Sequence, residues 1–330
     1  MPRFACTTRS LPAAGLLLAV LSLAVAPRAA QAADYPDRAV RVIINSSPGG
    51  LTDVVGRLVT VRMSQNLGQQ FVVENRAGQA VIGADALAKA RPDGYTYGVL
   101  GNSLSAMPAL LPKMPFDAQK DLVPVALLNT SQLVLITNPN SPYKTLADYV
   151  TAAKAKPGGI AIASGGVATM GHLLAEQLQS VAGLTLIHVP YKGGAPALND
   201  ILANQVPVFF DTVGTTTPQA KEGRVRPLVV VGAKRAQQLP DVPTIAEAGY
   251  PAVEGLGWFA MFAPSGVPAE MLNKINLEAN KALQAPEVRD RMLQLGTNPE
   301  GGSAKVLGDL LASELPRWAK LIRERGIKAE

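Results

Sequence analysis

Two serines and two glycines, in Ser46-Ser47-Pro48-Gly49-Gly50, stand between an apolar, β-branched run (Val40, Val42, Ile43, Ile44) and a stretch that opens with Leu51-Thr52-Asp53. The chemistry of such a loop is hydrogen-bond donation to an anion. A strand that stops at glycines and opens a helix leaves main-chain N–H groups without partners, and the helix dipole adds partial positive charge there. Glycines let a ligand approach the backbone, and the serine hydroxyls add polar contacts. A tight β–α turn with no ligand would use the same residues. Recurrence favours binding. Residues 160–164 read as a strand, Gly165-Gly166-Val167-Ala168-Thr169 as a glycine-containing loop, and a helix starts at Met170. Further strands end at Gly101-Asn102-Ser103, at Tyr191-Lys192-Gly193-Gly194, and at Asp211-Thr212.

The candidate ligand contacts are therefore Ser46, Ser47, Gly49, Gly50, Leu51, Thr52, Ser103, Gly166, Ala168, Thr169, Met170, Tyr191, Asp211 and Thr212. Thr169 sits where a cap belongs, and its N–H and hydroxyl could also meet a carboxylate. Asp211 could receive an ammonium or a hydroxyl, or serve as a turn or cap residue. Lys192 reads as a solvated charge. No catalytic group is assigned. The two histidines, His172 in a helix and His188 in an apolar strand, read as structural and lack metal-ligand spacing. There is no Gly-x-Ser-x-Gly, His-Glu-x-x-His or P-loop lysine. No metal site and no cofactor are expected, and an enzyme is the least favoured class.

The first residues read as an export signal. Arg3 and Arg9 precede an apolar stretch over 11–26, and Ala30-Gln31-Ala32 offers a small-x-small cleavage site, so 1–32 is expected to be removed. The apolar run is shorter than the ~20 residues a membrane span needs. Removal takes away Arg3, Arg9 and Arg28 and no acid, lowering the net charge from +6 by three to +3. Neither that balance nor 5% aromatic residues suits nucleic acid. Cys6, the single cysteine, leaves with the signal, so no disulfide or thiol chemistry is expected. A periplasmic, monomeric protein fits.

The elements that must position these loops alternate. Strands are expected over 70–76, 95–100, 184–190, 206–210, 225–231 and 258–264, and helices over 81–90, 145–156, 170–181 and 195–203. This is the pattern of a mostly parallel α/β sheet. Val54, Val55, Leu58 and Val61 recur at helical spacing in the first helix, as do Leu173, Leu174, Leu178 and Val181 later. Residues 122–137 look like two strands in tandem about Asn129-Thr130, a crossing between two lobes. A short helix ending at Gly249 is expected after Leu239-Pro240-Asp241-Val242-Pro243-Thr244. Helices over 268–283, 286–295 and 304–325 should pack on the first lobe, the last kinked or broken at Pro316.

Taken together, several motifs carry a resemblance. They are Pro48-Gly49-Gly50-x-Thr52-Asp53, Val73-Glu74-Asn75-Arg76, Pro92-Asp93-Gly94-Tyr95-Thr96, His188-Val189-Pro190-Tyr191-Lys192-Gly193-Gly194-Ala195-Pro196-Ala197-Leu198, Leu239-Pro240-Asp241-Val242-Pro243-Thr244-Ile245-Ala246-Glu247-Ala248-Gly249 and Arg317-Trp318-Ala319-Lys320. In this order the chain resembles the Bug family of extracytoplasmic solute receptors, the binding proteins of tripartite tricarboxylate transporters. The resemblance implies a two-lobed α/β, type II periplasmic-binding-protein fold with two crossing strands as hinge. The lobes would be 33–130 plus 262–330, and 131–261. It implies a small organic carboxylate as ligand, held by the loops over 46–52 and 165–170, and membrane permease subunits as partner. A periplasmic sensor for a membrane kinase is the alternative. The sequence departs from the family pattern at Ser46, where an aromatic residue is frequent, at Ala77-Gly78-Gln79-Ala80, which is shorter and poorer in glycine, and at Ala168, often glycine.

Overall fold

The structure is a computed structural model that describes residues 1–2, 35–46, 48–76, 80–111 and 113–328. The signal region with Cys6, Ser47 and the turn 77–79 lie outside the described residues. From Pro36 onward the chain builds two mixed sheets from repeated strand–helix units.

The first sheet comprises β1 (Val40–Ile44), β2 (Phe71–Asn75), β3 (Thr96–Gly101), β4 (Leu122–Ser131), β10 (Gly257–Pro264) and β11 (Asn298–Pro299), in the order β11-β4-β10-β3-β1-β2. The second comprises β5 (Leu133–Thr137), β6 (Ala161–Ser164), β7 (Ile187–Pro190), β8 (Phe209–Thr212) and β9 (Arg226–Val230), in the order β7-β6-β8-β5-β9. In each sheet four strands run in one direction, β1 to β4 in the first and β6 to β9 in the second, with β11 and the crossing strand β10 in the first and the crossing strand β5 in the second running against them. The helices are α1 (Leu51–Leu67), α2 (Ala80–Ala88), α3 (Ser103–Leu110), α4 (Leu146–Ala155), α5 (Met170–Ala182), α6 (Gly194–Leu202), α7 (Val213–Lys221), α8 (Ala269–Gln284), α9 (Pro286–Gln294) and α10 (Ala304–Arg325).

Alternation along β5 shows how the second sheet is covered on both faces. Leu133 and Leu135 enter one apolar cluster with Leu173, Leu174 and Phe210, while Val134 and Ile136 enter another with Ala197, Ile201 and Phe209. The first sheet is filled by Ile43, Leu100, Trp258 and Phe262.

The tandem strand breaks at Gln132, later than Asn129-Thr130. There the side-chain Nε2 donates to Lys234 O at 2.8 Å, and the Gln132 carbonyl accepts from Val213 N–H at 3.1 Å. Ser131 ends β4 at the edge where β1 and β3 end, and Leu133 starts β5 opposite Thr212, where β8 ends. One residue separates them, so the carboxyl edges of the two parallel sets face each other across the crossing.

Several expectations are corrected. In α1 the buried positions are Asp53, Val55, Gly56, Val59, Thr60 and Met63, and Val61 is exposed, because the helix lays its small and β-branched face on the sheet. Val181 is likewise exposed at the end of α5. The segment after Thr244 is a single turn held by Thr244 and Glu247, too short for a helix. The short helices α3 and α7 were not anticipated. Pro316 does not break α10, which is continuous. Its first half inserts Leu307 and Leu311 beside the first sheet, and its second half inserts Trp318, Leu321 and Ile322 beside the second. Between them Glu314 accepts from Ser105 Oγ at 2.7 Å and Trp258 Nε1 at 3.0 Å.

Candidate functional site

The facing edges carry the N-termini of α1 and α3 on one side and of α5 and α7 on the other. Three of these four, α1, α3 and α5, have no side-chain cap. Their first-turn N–H groups are the donors that an anion would take.

The loop before α1 is held from behind. Asp53 is 4% exposed, and its carboxylate accepts from Gly49 N–H at 2.9 Å, from Arg57 Nε at 2.8 Å and from Asn75 Nδ2 at 2.8 Å. Asn75 also donates to Ser46 O at 3.1 Å and accepts from Arg57 Nη2 at 2.8 Å. Burial opposes the Asp53 charge, but the bonds from Gly49, Asn75 and Arg57 outweigh it and hold the carboxyl below its ordinary value. Gly49, at φ +81°, takes the left-handed turn this clamp requires. Ser46, Leu51 and Thr52 are half-buried, and Gly49 and Gly50 are exposed. Asn75 and Arg57 were missed as site residues, although Glu74-Asn75-Arg76 stood out as a motif.

Ser103 opens α3 beside Asn102, whose side-chain nitrogen is buried and has no acceptor among the described residues. Asn102 N–H donates to Trp258 O at 3.2 Å, tying this terminus to the crossing strand.

On the second sheet, Gly166, Ala168, Thr169 and Met170 lie together ahead of α5. Thr169 differs from expectation. Its N–H and hydroxyl both donate to Gly166 O, at 3.3 and 2.8 Å, so they close the turn. The uncapped donors belong to the residues after it. Tyr191 borders the turn, since its N–H donates to Ser164 O at 3.0 Å. Its hydroxyl donates to Asp200 at 2.5 Å, and burial with that carboxylate pushes the phenol up to about 12. Only the Tyr191 ring and main chain remain for a ligand. Lys192 is exposed, in keeping with a solvated charge.

Asp211 and Thr212 serve α7. Asp211 Oδ1 accepts from Thr212 N–H at 2.7 Å and Oδ2 from Thr216 Oγ1 at 3.2 Å, while Thr212 Oγ1 accepts from Thr215 N–H at 3.4 Å. Asp211 is 5% exposed, and burial pushes its carboxyl up to about 6 against those hydrogen bonds. The cap reading of Asp211 is the one its contacts follow.

A cavity of about 670 Å³ beside the crossing is lined by residues including Gln132, Glu254, Leu256, Asn298 and Arg317 and contains none of the predicted contacts. Among the described residues no group of three or more His, Cys, Asp or Glu could hold a metal ion, and no helix is long and apolar enough to cross a membrane.

Residues 55–327 match the tripartite tricarboxylate transporter family receptor, TctC. The chain is 38% identical, over 96% of its length and 94% of the relative's, to the UPF0065 protein in the tcbD-tcbE intergenic region of Pseudomonas sp. strain P51. It is 35% identical to the protein BugT of Bordetella pertussis, over 97% of this chain and 98% of that one. Among solved structures, a periplasmic transporter superposes with TM-score 0.81 at 35% identity, covering 89% of this chain and 99% of that one. Rpa4515 of R. palustris with adipate gives 0.81 at 32%, covering 89% and 99%. MatC of Rhodopseudomonas palustris with bound malate gives 0.79 at 32%, covering 87% and 100%. The two sheets, their crossing strands and the glycine loops at the facing edges are thus those of a two-lobed solute receptor, and the chain belongs to the tripartite tricarboxylate transporter receptors, among the Bug proteins.

Proposed function

We propose that the chain is a periplasmic receptor that takes a small organic carboxylate between its lobes and hands it, chemically unaltered, to membrane permease subunits. The observation that carries this reading is the pair of uncapped helix N-termini, α1 and α5, on facing sheet edges. Two such termini set apart suit a molecule with an acid at each end, and the neighbours hold adipate and malate. The proposed contacts are main-chain N–H groups at 50–52 and 170–171, with Ser46, Ser103 and Asn102. The lobes are 36–131 with 257–303, and 133–256, so the expected boundaries at 130/131 and 261/262 move to Gln132 and to the start of β10, and α10 spans both cores. Hinge closure about Gln132 and the residues before Gly257 would enclose the ligand.

A thermal-shift screen of mono-, di- and tricarboxylates, with adipate and malate included, tests this. A ligand at a hundred times its Kd adds about 2.7 kcal/mol to the native state and raises the melting temperature by several degrees. Calorimetry then gives the stoichiometry, which should be one. A set of carboxylates that leaves melting unchanged would sink the reading, as would turnover of a bound acid.

A further inference from the structure

The chain has two histidines, and the fold lays one on the other. His172, on the first turn of α5, and His188, on β7, stack with ring centroids 3.8 Å apart and planes 4° from parallel. Each imidazole holds one end of the turn that precedes α5. His172 Nδ1 accepts from Ala168 N–H at 3.2 Å. His188 Nε2 shares a hydrogen bond with Ser164 Oγ at 2.7 Å, and that oxygen accepts from Gly166 N–H at 3.2 Å.

The turn needs holding. Ala168 has φ +63°, a left-handed conformation that a residue with a Cβ seldom adopts. It is also buried, so its N–H would lack a partner without the imidazole. We propose that His172 is a positioning residue for the ligand site: its unprotonated Nδ1, held flat against His188, keeps Ala168 in the left-handed conformation and so aims the uncapped N–H groups at the start of α5. The link from this turn to a ligand rests on the receptor function proposed above. The mechanics of the turn do not.

The surroundings select the required tautomer. An accepting Nδ1 puts the ring proton on Nε2, which lies 3.8 Å from Glu176 Oε1. Glu176 is fixed in turn by Arg325 Nε from α10 at 2.8 Å and by Gln179 Nε2 at 2.8 Å. His188 faces the ring from β7. Burial, with His188 beside it, pushes His172 down to about 3, so the ring stays neutral at ordinary pH. A proton on Nδ1 would turn the acceptor into a donor aimed at another donor.

An acceptor at the δ position is what the turn requires. Asparagine places Oδ1 near that point, whereas glutamine carries its oxygen one bond further and phenylalanine has no acceptor. The experiment uses the mature chain, without ligand, as wild type, His172→Asn, His172→Gln and His172→Phe. Hydrogen exchange at Ala168 should be about tenfold faster in the Gln and Phe variants and close to wild type in the Asn variant, with exchange in β6 alike in all four. Imidazole ¹⁵N spectra of the wild type should show the proton of His172 on Nε2 from pH 5 to 8. Equal Ala168 protection in all variants, or a proton on Nδ1, overturns the proposal. If Phe unfolds the chain, the Asn and Gln pair decides. Affinity for malate and adipate should follow the same ranking, and equal affinity in Asn and Gln variants of a binding-competent chain removes the link to the site. Should the wild type bind no carboxylate, the receptor reading fails and the exchange and tautomer readouts still judge the turn.

Discussion

Gly214, at the start of α7, and Gly296, in the turn between α9 and β11, meet backbone to backbone, and a methyl group on either would overlap the other's main chain. The contact joins the second sheet's helix to the first sheet's edge, close to where Leu133 and Thr130 flank the crossing. Gly296 also has φ +67°. Gly214→Ala should therefore force the two segments apart and cost about 1–3 kcal/mol, read as a lower denaturation midpoint. Gly296→Ala should cost more, since the strained φ adds to the overlap. Wild-type midpoints for both would mean the segments part freely.

The clamp behind the first loop predicts a joint loss of stability and affinity. Asn75→Ala leaves Asp53 and Ser46 O each short of one hydrogen bond, at a cost of about 2 kcal/mol. Affinity for a carboxylate found in the melting screen should fall about tenfold. Calorimetry and denaturation on one preparation separate the two effects. A change in stability alone would confine Asn75 to the scaffold.

Asp211 gives a pH dependence with a definite sign. Its folded-state value, about 6, lies above the ordinary 3.8, so between pH 4 and 6 the folded chain holds more of this proton than the unfolded chain. The contribution of Asp211 to stability is thus greatest below pH 4, falls as pH rises to about 6, and is flat above, a loss of roughly 3 kcal/mol. Asp211→Asn should remove that slope, and the variant-minus-wild-type difference should climb through the same window. A difference that stays level from pH 4 to 7 would mean that the hydrogen bonds to Asp211 fully offset its burial.

His172 works in the opposite direction. Its folded-state value, about 3, lies below the ordinary 6.5, so its contribution is fully present above pH 6.5 and is lost as pH falls toward 3. His172→Asn, which does not titrate there, should flatten acid denaturation in that range. Denaturant titrations at half-unit pH steps would show whether the acid limbs of variant and wild type coincide, the outcome that counts against burial of a neutral ring.

Much of this was legible in the chain. Val40, Val42, Ile43 and Ile44 followed by Pro48-Gly49-Gly50 announce a strand, a turn and a helix, because β-branched runs and glycine punctuation act locally. The paired design at 160–170 is legible for the same reason. The helices α3 and α7 were not, since Pro108, Pro218 and the threonines at 215–217 argue against helix locally and packing overrides them. The buried face of α1 was misjudged because Gly56 and Thr60 carry it: Gly56 lies against Ile44 and Val99, a contact that periodicity of large apolar residues cannot register. The roles of Asn75 and His188 depend on bonds to residues 22 to 29 positions away, and that of His172 on a left-handed Ala168 and on a stack with His188 that only the fold creates. Spacing named these residues as a motif or as structural, and only the fold says what they hold.

The last helix closes two interiors at once, with Leu311 in one and Trp318 in the other. Neither half of the molecule is therefore a self-sufficient module. A shortened version ending before Trp318 would expose the floor beneath the second sheet, and an excised second half would lack its lid. Anyone building a split reporter or a fluorescent fusion from this scaffold should leave 304–325 whole, and attach the reporter group beyond it.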